Sequence, residues 1–264
     1  MEEDVLQFLQ DVRNVLRCHQ VGSIVDYPAA PELSAFLASR EEEESPPRKE
    51  GIPLQEKEKA ATVSSVREKN DQGSLAEIAA EVELCTSCGL AGQRRCVSPG
   101  KWGGGRVRLL LVGHWLAVPE HSTAGIEKTV FGPQEDQMLG RMLAAIHLAS
   151  EEVFVTNIIK CGVGPEIQPQ AEHIDACSSY LQRQIMAAAP ELICTMGMVA
   201  TRALLRFSQP LSRLRGRFHI YQGSNGREIP LLPTFHPSYL LQNPEMKKAT
   251  WQDLQTLEKR IYSK

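Results

Sequence analysis

The sequence predicts an α/β fold, a three-layer α/β/α sandwich around a central, mainly parallel four-stranded sheet. Three observations carry this reading. Continuous apolar runs at 107–112, 153–159 and 191–196 read as strands buried on both faces. Stretches at 134–148, 170–188 and 198–207 place apolar residues at helical spacing. Strands alternating with helices pair in parallel, and the helices cover both faces of the sheet. A ligand then binds beyond the carboxyl ends of the strands.

Taken in order, Val5, Phe8, Leu9, Val12, Val15 and Leu16 fall on one stripe of an amphipathic helix within residues 1–20. That stripe either docks on the main domain or meets a protein partner. Residues 21–73 read as a mostly disordered acidic linker: the run Glu41–Glu44, then Pro46-Pro47 and many Lys and Glu, leaves too few apolar residues to bury. A domain follows over 74–264. It opens with a helix at 74–84 that Ser74 can cap. Short strands at 218–221 and 229–232 flank a Gly-Ser-Asn-Gly turn. A last helix spans 244–262, with Pro244 in its first turn.

Composition limits the setting. The 264 residues are 42% hydrophobic, with no run of eighteen apolar residues, so no membrane helix is expected. The start Met1-Glu2-Glu3-Asp4 is acidic where a signal peptide is basic, and a cytoplasmic location is the expectation. In that compartment seven cysteines, an odd number, point to thiols or metal ligands rather than a disulfide framework. Residues 1–75 hold 9 Lys and Arg against 15 Asp and Glu, a net of −6, whereas 76–264 hold 20 against 17, a net of +3. A mildly basic domain permits nucleic-acid binding without establishing it.

Four of the cysteines form a pattern. Cys85 and Cys88 make a Cys-x-x-Cys pair; Cys161 and Cys177 follow far downstream, with fifteen residues between them. Thiolates so grouped suit an iron–sulfur cluster or a tetrahedral zinc. Three strand ends carry the remaining candidates: Gly113-His114-Trp115-Leu116-Ala117, Thr156-Asn157, and the run from Thr234 through His236-Pro237-Ser238-Tyr239-Leu240-Leu241.

From about Ser74 to Lys264 the chain resembles the uracil-DNA glycosylase superfamily, and within it the iron–sulfur branch often called family 4. The resemblance rests on Leu84-Cys85-Thr86-Ser87-Cys88, on Thr156-Asn157-Ile158-Ile159-Lys160-Cys161, on Cys177 in the next helix, on the Leu214–His219 stretch, and on His236-Pro237-Ser238-Tyr239-Leu240-Leu241 followed by Gln242-Asn243-Pro244. It implies that Cys85, Cys88, Cys161 and Cys177 hold a [4Fe–4S] cluster, with zinc the alternative. It implies a DNA substrate carrying uracil or a related deaminated base, flipped into a pocket. Phe131 would stack on that base, Asn157 would read its pairing edge beside Gly113, and His236 would stabilise charge growing on the base oxygen O2. Ser238, Arg213 and Arg215, with Arg217, would meet DNA phosphates, and Tyr239-Leu240-Leu241 would place a wedge at the minor groove.

The first motif departs from the family pattern. Members read Gly-Glu-Ala-Pro-Gly, followed by further acids; this chain reads Gly113-His114-Trp115-Leu116-Ala117-Val118-Pro119-Glu120. A neutral His114 can accept a proton, but it lacks the fixed negative charge of a carboxylate. Two readings from different classes follow. One is an active N-glycosidase; the other is a catalytically impaired, glycosylase-like iron–sulfur protein that binds DNA or recruits partners.

Overall fold

The structure is a computed structural model that describes residues 73–121 and 125–263. The N-terminal helix within 1–20 and the linker over 21–72 lie outside the described residues. The first described helix, α1 (Leu75–Glu83), starts at a reciprocal cap in which the Glu77 amide donates to Ser74 Oγ and the Ser74 amide to Glu77 Oε2. It buries Ile78 and Val82 and is tied by Glu81 to Arg183 of a later helix, α3 (Ala171–Ala188).

Eight strands follow among the described residues: β1 (Cys96–Val97), β2 (Lys101–Trp102), β3 (Leu109–Gly113), β4 (Val153–Asn157), β5 (Cys161–Gly162), β6 (Leu192–Met196), β7 (His219–Gln222) and β8 (Glu228–Thr234). Six form one sheet in the order β2-β4-β3-β6-β8-β7. Its middle four, β4-β3-β6-β8, are parallel, as expected from the apolar runs. An antiparallel edge strand extends it on each side, β2 against β4 and β7 against β8, so the full sheet has six strands rather than four. A separate antiparallel pair joins β1 to β5. The two-residue strands β1, β2 and β5 are too short to show a period in the sequence.

The sandwich follows from strand geometry, in which successive side chains point to opposite faces. On β3, Leu109 and Leu111 enter one apolar layer and Leu110 and Val112 the other. The first layer packs against α2 (Pro133–Ala145) and α7 (Lys247–Tyr262) through Leu139, Leu254, Leu257 and Ile261. The second packs against α3 and α4 (Met198–Leu205) through Leu181, Ile185 and Ala200. Two short helices, α5 (Leu211–Leu214) and α6 (Pro237–Gln242), lie in stretches where the sequence alone predicts neither. Among the described residues no helix is long and apolar enough to cross a membrane.

One buried polar group locks the last helix to the sheet. Asp253 is 2% exposed. It accepts from Thr234 Oγ1 at 2.6 Å and from Arg215 Nε and Nη2 at 3.0 and 2.8 Å. Removing one member of such a pair leaves a buried charge without its partner. Asp253→Ala is therefore expected to lower stability by about 3 kcal/mol, read as a lower denaturant midpoint with the slope unchanged.

Candidate active site and cysteine pocket

Three strand ends converge. Gly113 ends β3, Asn157 ends β4 opposite it in register, and His236 follows β8. The loop after β3 continues alongside the segment after β4. Ile158 and Ile159 amides donate to the Gly113 and His114 carbonyls at 2.9 Å each, Val163 to Leu116 at 3.1 Å, and Val118 back to Val163 at 2.8 Å. The first motif and the segment carrying Cys161 thus form one ladder beyond the sheet.

His236 caps α6. Proline at the next position is preset for a helix start, and the histidine side chain supplies the acceptor that a Ser or Asp would otherwise provide. Its Nδ1 accepts from the Ser238 amide at 3.2 Å and lies 2.8 Å from Ser238 Oγ. A backbone N–H cannot accept, so Nδ1 carries no proton and the neutral ring bears its proton on Nε2. That Nε2 is buried and has no partner. Asn157 is likewise enclosed: its Nδ2 donates to the Val130 carbonyl at 2.5 Å, while its Oδ1 is buried without a partner. One orphan donor and one orphan acceptor therefore share a site. Orphaned buried polar atoms are rare, because each forfeits its hydrogen bond to water.

Phe131 stands 4.8 Å, centroid to centroid, from His236. The Asp136 carboxylate holds its turn, accepting from the Val130 and Phe131 amides at 2.9 and 3.0 Å. Asp136 reads in sequence as a helix-start acid; its reach back to this turn shows only in the fold. The next residue, Gly132, adopts φ 134°, a conformation that favours glycine. Gly113 is required for a different reason. A Cβ there would lie 2.6 Å from Asn157 Oδ1 and against the Phe131 ring.

His114 completes the group. Its ring lies edge-on to His236 at 4.2 Å and to Trp115 at 4.6 Å. Burial lowers the His114 imidazole to about 4. Burial, reinforced by the neighbouring His114, holds His236 well below the ordinary value. The site is therefore built from neutral imidazoles, and Glu120, a possible substitute for the missing carboxylate, is exposed. Trp115 is half-buried and packs against the apolar cluster formed by Leu90, Ile159, Cys161, Val163 and Cys177.

The DNA-facing expectations divide. Arg213 and Arg217 are exposed. Arg215 instead forms the ion pair with Asp253, its guanidinium 5.1 Å over the Phe235 ring. Ser238 directs its hydroxyl at His236. Leu240, in the expected wedge, is a core residue at 2% exposure, and Tyr239 stacks on Phe235.

The four cysteines come together behind this site. Cys85, Cys88, Cys161 and Cys177 line one pocket with His173, Tyr180 and Lys160. The Ser87 amide donates to Cys85 Sγ at 3.5 Å and the Lys160 amide to Cys177 Sγ at 3.4 Å. At Cys85, burial raises the thiol pKa, but hydrogen bonds from Ser87 and Tyr180 and the Arg94 charge outweigh it and leave the pKa below the ordinary value. Burial pushes Cys161 and Cys177 up. Among the described residues no three His, Cys, Asp or Glu side chains converge as ligands of a single metal ion. Cys194 is wholly buried within β6, and Cys96 lies on β1. Sequence reasoning gave no role to Lys160. It is fully buried, and burial pulls its ammonium down to about 7 against the opposing pull of Cys177.

The two depressed imidazoles set a pH dependence. An unfolded histidine has a pKa of about 6.5, so below that value the unfolded chain binds more protons than the folded one. Stability therefore falls as pH drops from about 6.5 towards about 4. The Tm of a His114→Phe variant is expected to fall less steeply than that of the unaltered chain across this window; equal slopes would refute the assignment.

Comparison with known proteins agrees with this geometry. A sequence model of the uracil DNA glycosylase superfamily matches residues 101–255, more than half of the chain. A Type-4 uracil-DNA glycosylase of Saccharolobus solfataricus is 31% identical over 192 residues, covering 71% of this chain and 86% of the relative. Its namesake in Thermotoga maritima is 29% identical over 185 residues, covering 69% and 92%. That of Archaeoglobus fulgidus is 26% identical over 190 residues, covering 70% and 92%. With its sheet, its strand-end motifs and its cysteine pocket in this arrangement, the chain belongs to the uracil-DNA glycosylase superfamily.

Proposed function

We propose that this protein is a DNA-repair N-glycosidase that draws uracil, or a related deaminated base, out of DNA and hydrolyses its glycosidic bond. The observation that carries the reading is the pair of buried, unpartnered polar atoms, Asn157 Oδ1 and His236 Nε2, beside the Phe131 ring. A uracil ring satisfies both: its N3–H donates to Asn157 Oδ1, and its O2 accepts from His236 Nε2–H. Cytosine has an acceptor at N3 and would face the Asn157 oxygen unfavourably.

The chemistry follows from these roles. As the bond between the sugar C1′ and N1 breaks, its electron pair passes to the base and negative charge collects on O2. A donor already aimed there in a dry pocket stabilises that charge more than water could. Water adds to C1′, and its proton goes to a neutral base, which His114 supplies. The products are an abasic sugar and free uracil. Arg213 and Arg217, both exposed, would meet phosphates.

The four cysteines fit a [4Fe–4S] cluster better than zinc. A single zinc needs all four sulfurs about 2.3 Å from one point, whereas each thiolate of a cluster binds a different iron, so ligands spread around one pocket suit it. Cys85, Cys88, Cys161 and Cys177 would hold the cluster, and the amides of Ser87 and Lys160 already donate to two of the sulfurs. Held there, the cluster ties the segments after α1, β4 and the start of α3 to one centre. A catalytically impaired DNA-binding protein is the second reading, favoured by one observation: position 114 presents an imidazole where the family has a carboxylate.

A labelled single-stranded oligonucleotide with one uracil discriminates between them. At enzyme excess the protein is expected to yield alkali-labile abasic product, and His236→Ala to slow this by about 10²- to 10³-fold. Product no greater than that of His236→Ala, over uracil, hypoxanthine and xanthine, would leave only the binding reading. For the cofactor, purified protein is expected to be brown, with broad absorption at the blue end of the visible that Cys85→Ser abolishes. Colourless protein carrying one zinc per chain would refute the cluster.

A further inference from the structure

The ring contacts form a continuous series from Phe131, beside the strand ends, to the apolar cluster that contains Cys161 and Cys177. Phe131 meets His236 at 4.8 Å, His236 meets His114 at 4.2 Å, and His114 meets Trp115 at 4.6 Å. Trp115 in turn packs against the apolar cluster that contains Ile159, Cys161 and Cys177. His114 is the unusual member, because among the described residues no hydrogen bond or ion pair is recorded for its ring. What orients it is packing between two flat side chains, plus its own carbonyl, which accepts from the Ile159 amide at 2.9 Å. A ring so held can tip if one of its walls is removed.

We propose that Trp115 is a positioning residue for excision, acting through His114 on the His236 site. Its indole anchors on the cysteine-bearing core and presents an edge contact that keeps His114 upright beside His236. In that orientation the His114 ring covers His236 Nε2–H, so that donor stays unpartnered until a base oxygen arrives. A tipped His114 would admit water to that donor, and the advantage of a dry, preset hydrogen bond would be lost. On this reading Trp115 and His114 belong together: the indole edge supplies the orientation that the imidazole's own hydrogen bonds do not.

This inference rests on the excision reading, and a double-mutant cycle tests it with single-turnover kinetics on the uracil oligonucleotide. Trp115→Leu is expected to lower kcat about 10- to 100-fold while KM stays within about twofold, since misplacement of a catalytic group acts on the reacting geometry. Trp115→Phe, which restores an aromatic wall, is expected to recover most of the lost rate. In a His114→Ala background the Trp115→Leu exchange is expected to add less than about twofold, because two residues acting as a unit are non-additive. Full additivity, or a loss in KM equal to that in kcat, would overturn the proposal and leave Trp115 a packing residue only. If Trp115→Leu does not accumulate as folded protein, Trp115→Met carries the same cycle. An unaltered protein that forms no abasic product fails at the excision reading instead, so the two failures are told apart by the first arm of the experiment.

Discussion

Lys160 is wholly buried, and its Nζ donates to Thr156 Oγ1 at 2.7 Å, to the Asn157 carbonyl at 2.6 Å and to Gln184 Oε1 at 2.6 Å. These partners span the end of β4 and the middle of α3, and all three are neutral. On one side of the lysine is Asn157, whose carbonyl it holds; on the other are Cys161, its chain neighbour, and Cys177, whose sulfur accepts from the Lys160 amide. An amino group enclosed in this way fixes direction as well as contributing energy, since only one arrangement of the surrounding acceptors satisfies it. The turn from Asn157 to Cys161 is held at both ends by these bonds, and it carries Asn157 at the strand end and lines the cysteine pocket. The ladder from Gly113 to Val118 lies along the same segment, so the first motif takes its position from that turn too.

The second constraint is neutrality. A pocket that must separate a leaving anion from a sugar centre gains from fixed dipoles and loses from mobile water. Here burial keeps His114 and His236 uncharged, and Ser238 presets the His236 tautomer so that its only free proton points inwards. Among the described residues no carboxylate forms a hydrogen bond or ion pair with the His114 or His236 ring; the bond given for His236 is to Ser238. Asp136 lies close by in sequence, but its charge is committed to the Val130 and Phe131 amides. Asp253, a buried acid, belongs to Arg215 and Thr234. These two acids hold a turn and a helix, and the side chains that meet at the three strand ends are imidazoles and an amide.

Much of this was legible in the residues. The runs that became β3, β4 and β6 are apolar because both of their faces are covered, and that leaves a direct trace in composition. Asn157 and His236 could be picked out because each ends an apolar strand, and the cysteines because of their spacing. Arg215 misled for a general reason: an arginine among other arginines reads as a surface cation, and only the fold brings Asp253, on a helix far along the chain, against it. Leu240 misled in the same way, since a leucine in a loop motif carries no mark of whether it faces DNA or the core. Asp136 and Lys160 were opaque because the value of a charged side chain depends on which backbone atoms surround it. The short strands β1, β2 and β5 could not be read at all, two residues being fewer than one period.

The sequence by itself determined the parallel α/β domain, the two groups of cysteines and the residue types at three strand ends, because period, spacing and motif are properties of a linear string. The tertiary structure alone decided that Asn157 Oδ1 and His236 Nε2 are both buried without partners beside the Phe131 ring, that His114 lies between His236 and Trp115, and that Trp115 packs against the cluster containing Cys161 and Cys177. The physical reason is that burial and partnership are relations between residues far apart in the chain. A histidine or asparagine has the same chemistry in any sequence, and it becomes a reactive site only when folding removes its water and withholds a replacement.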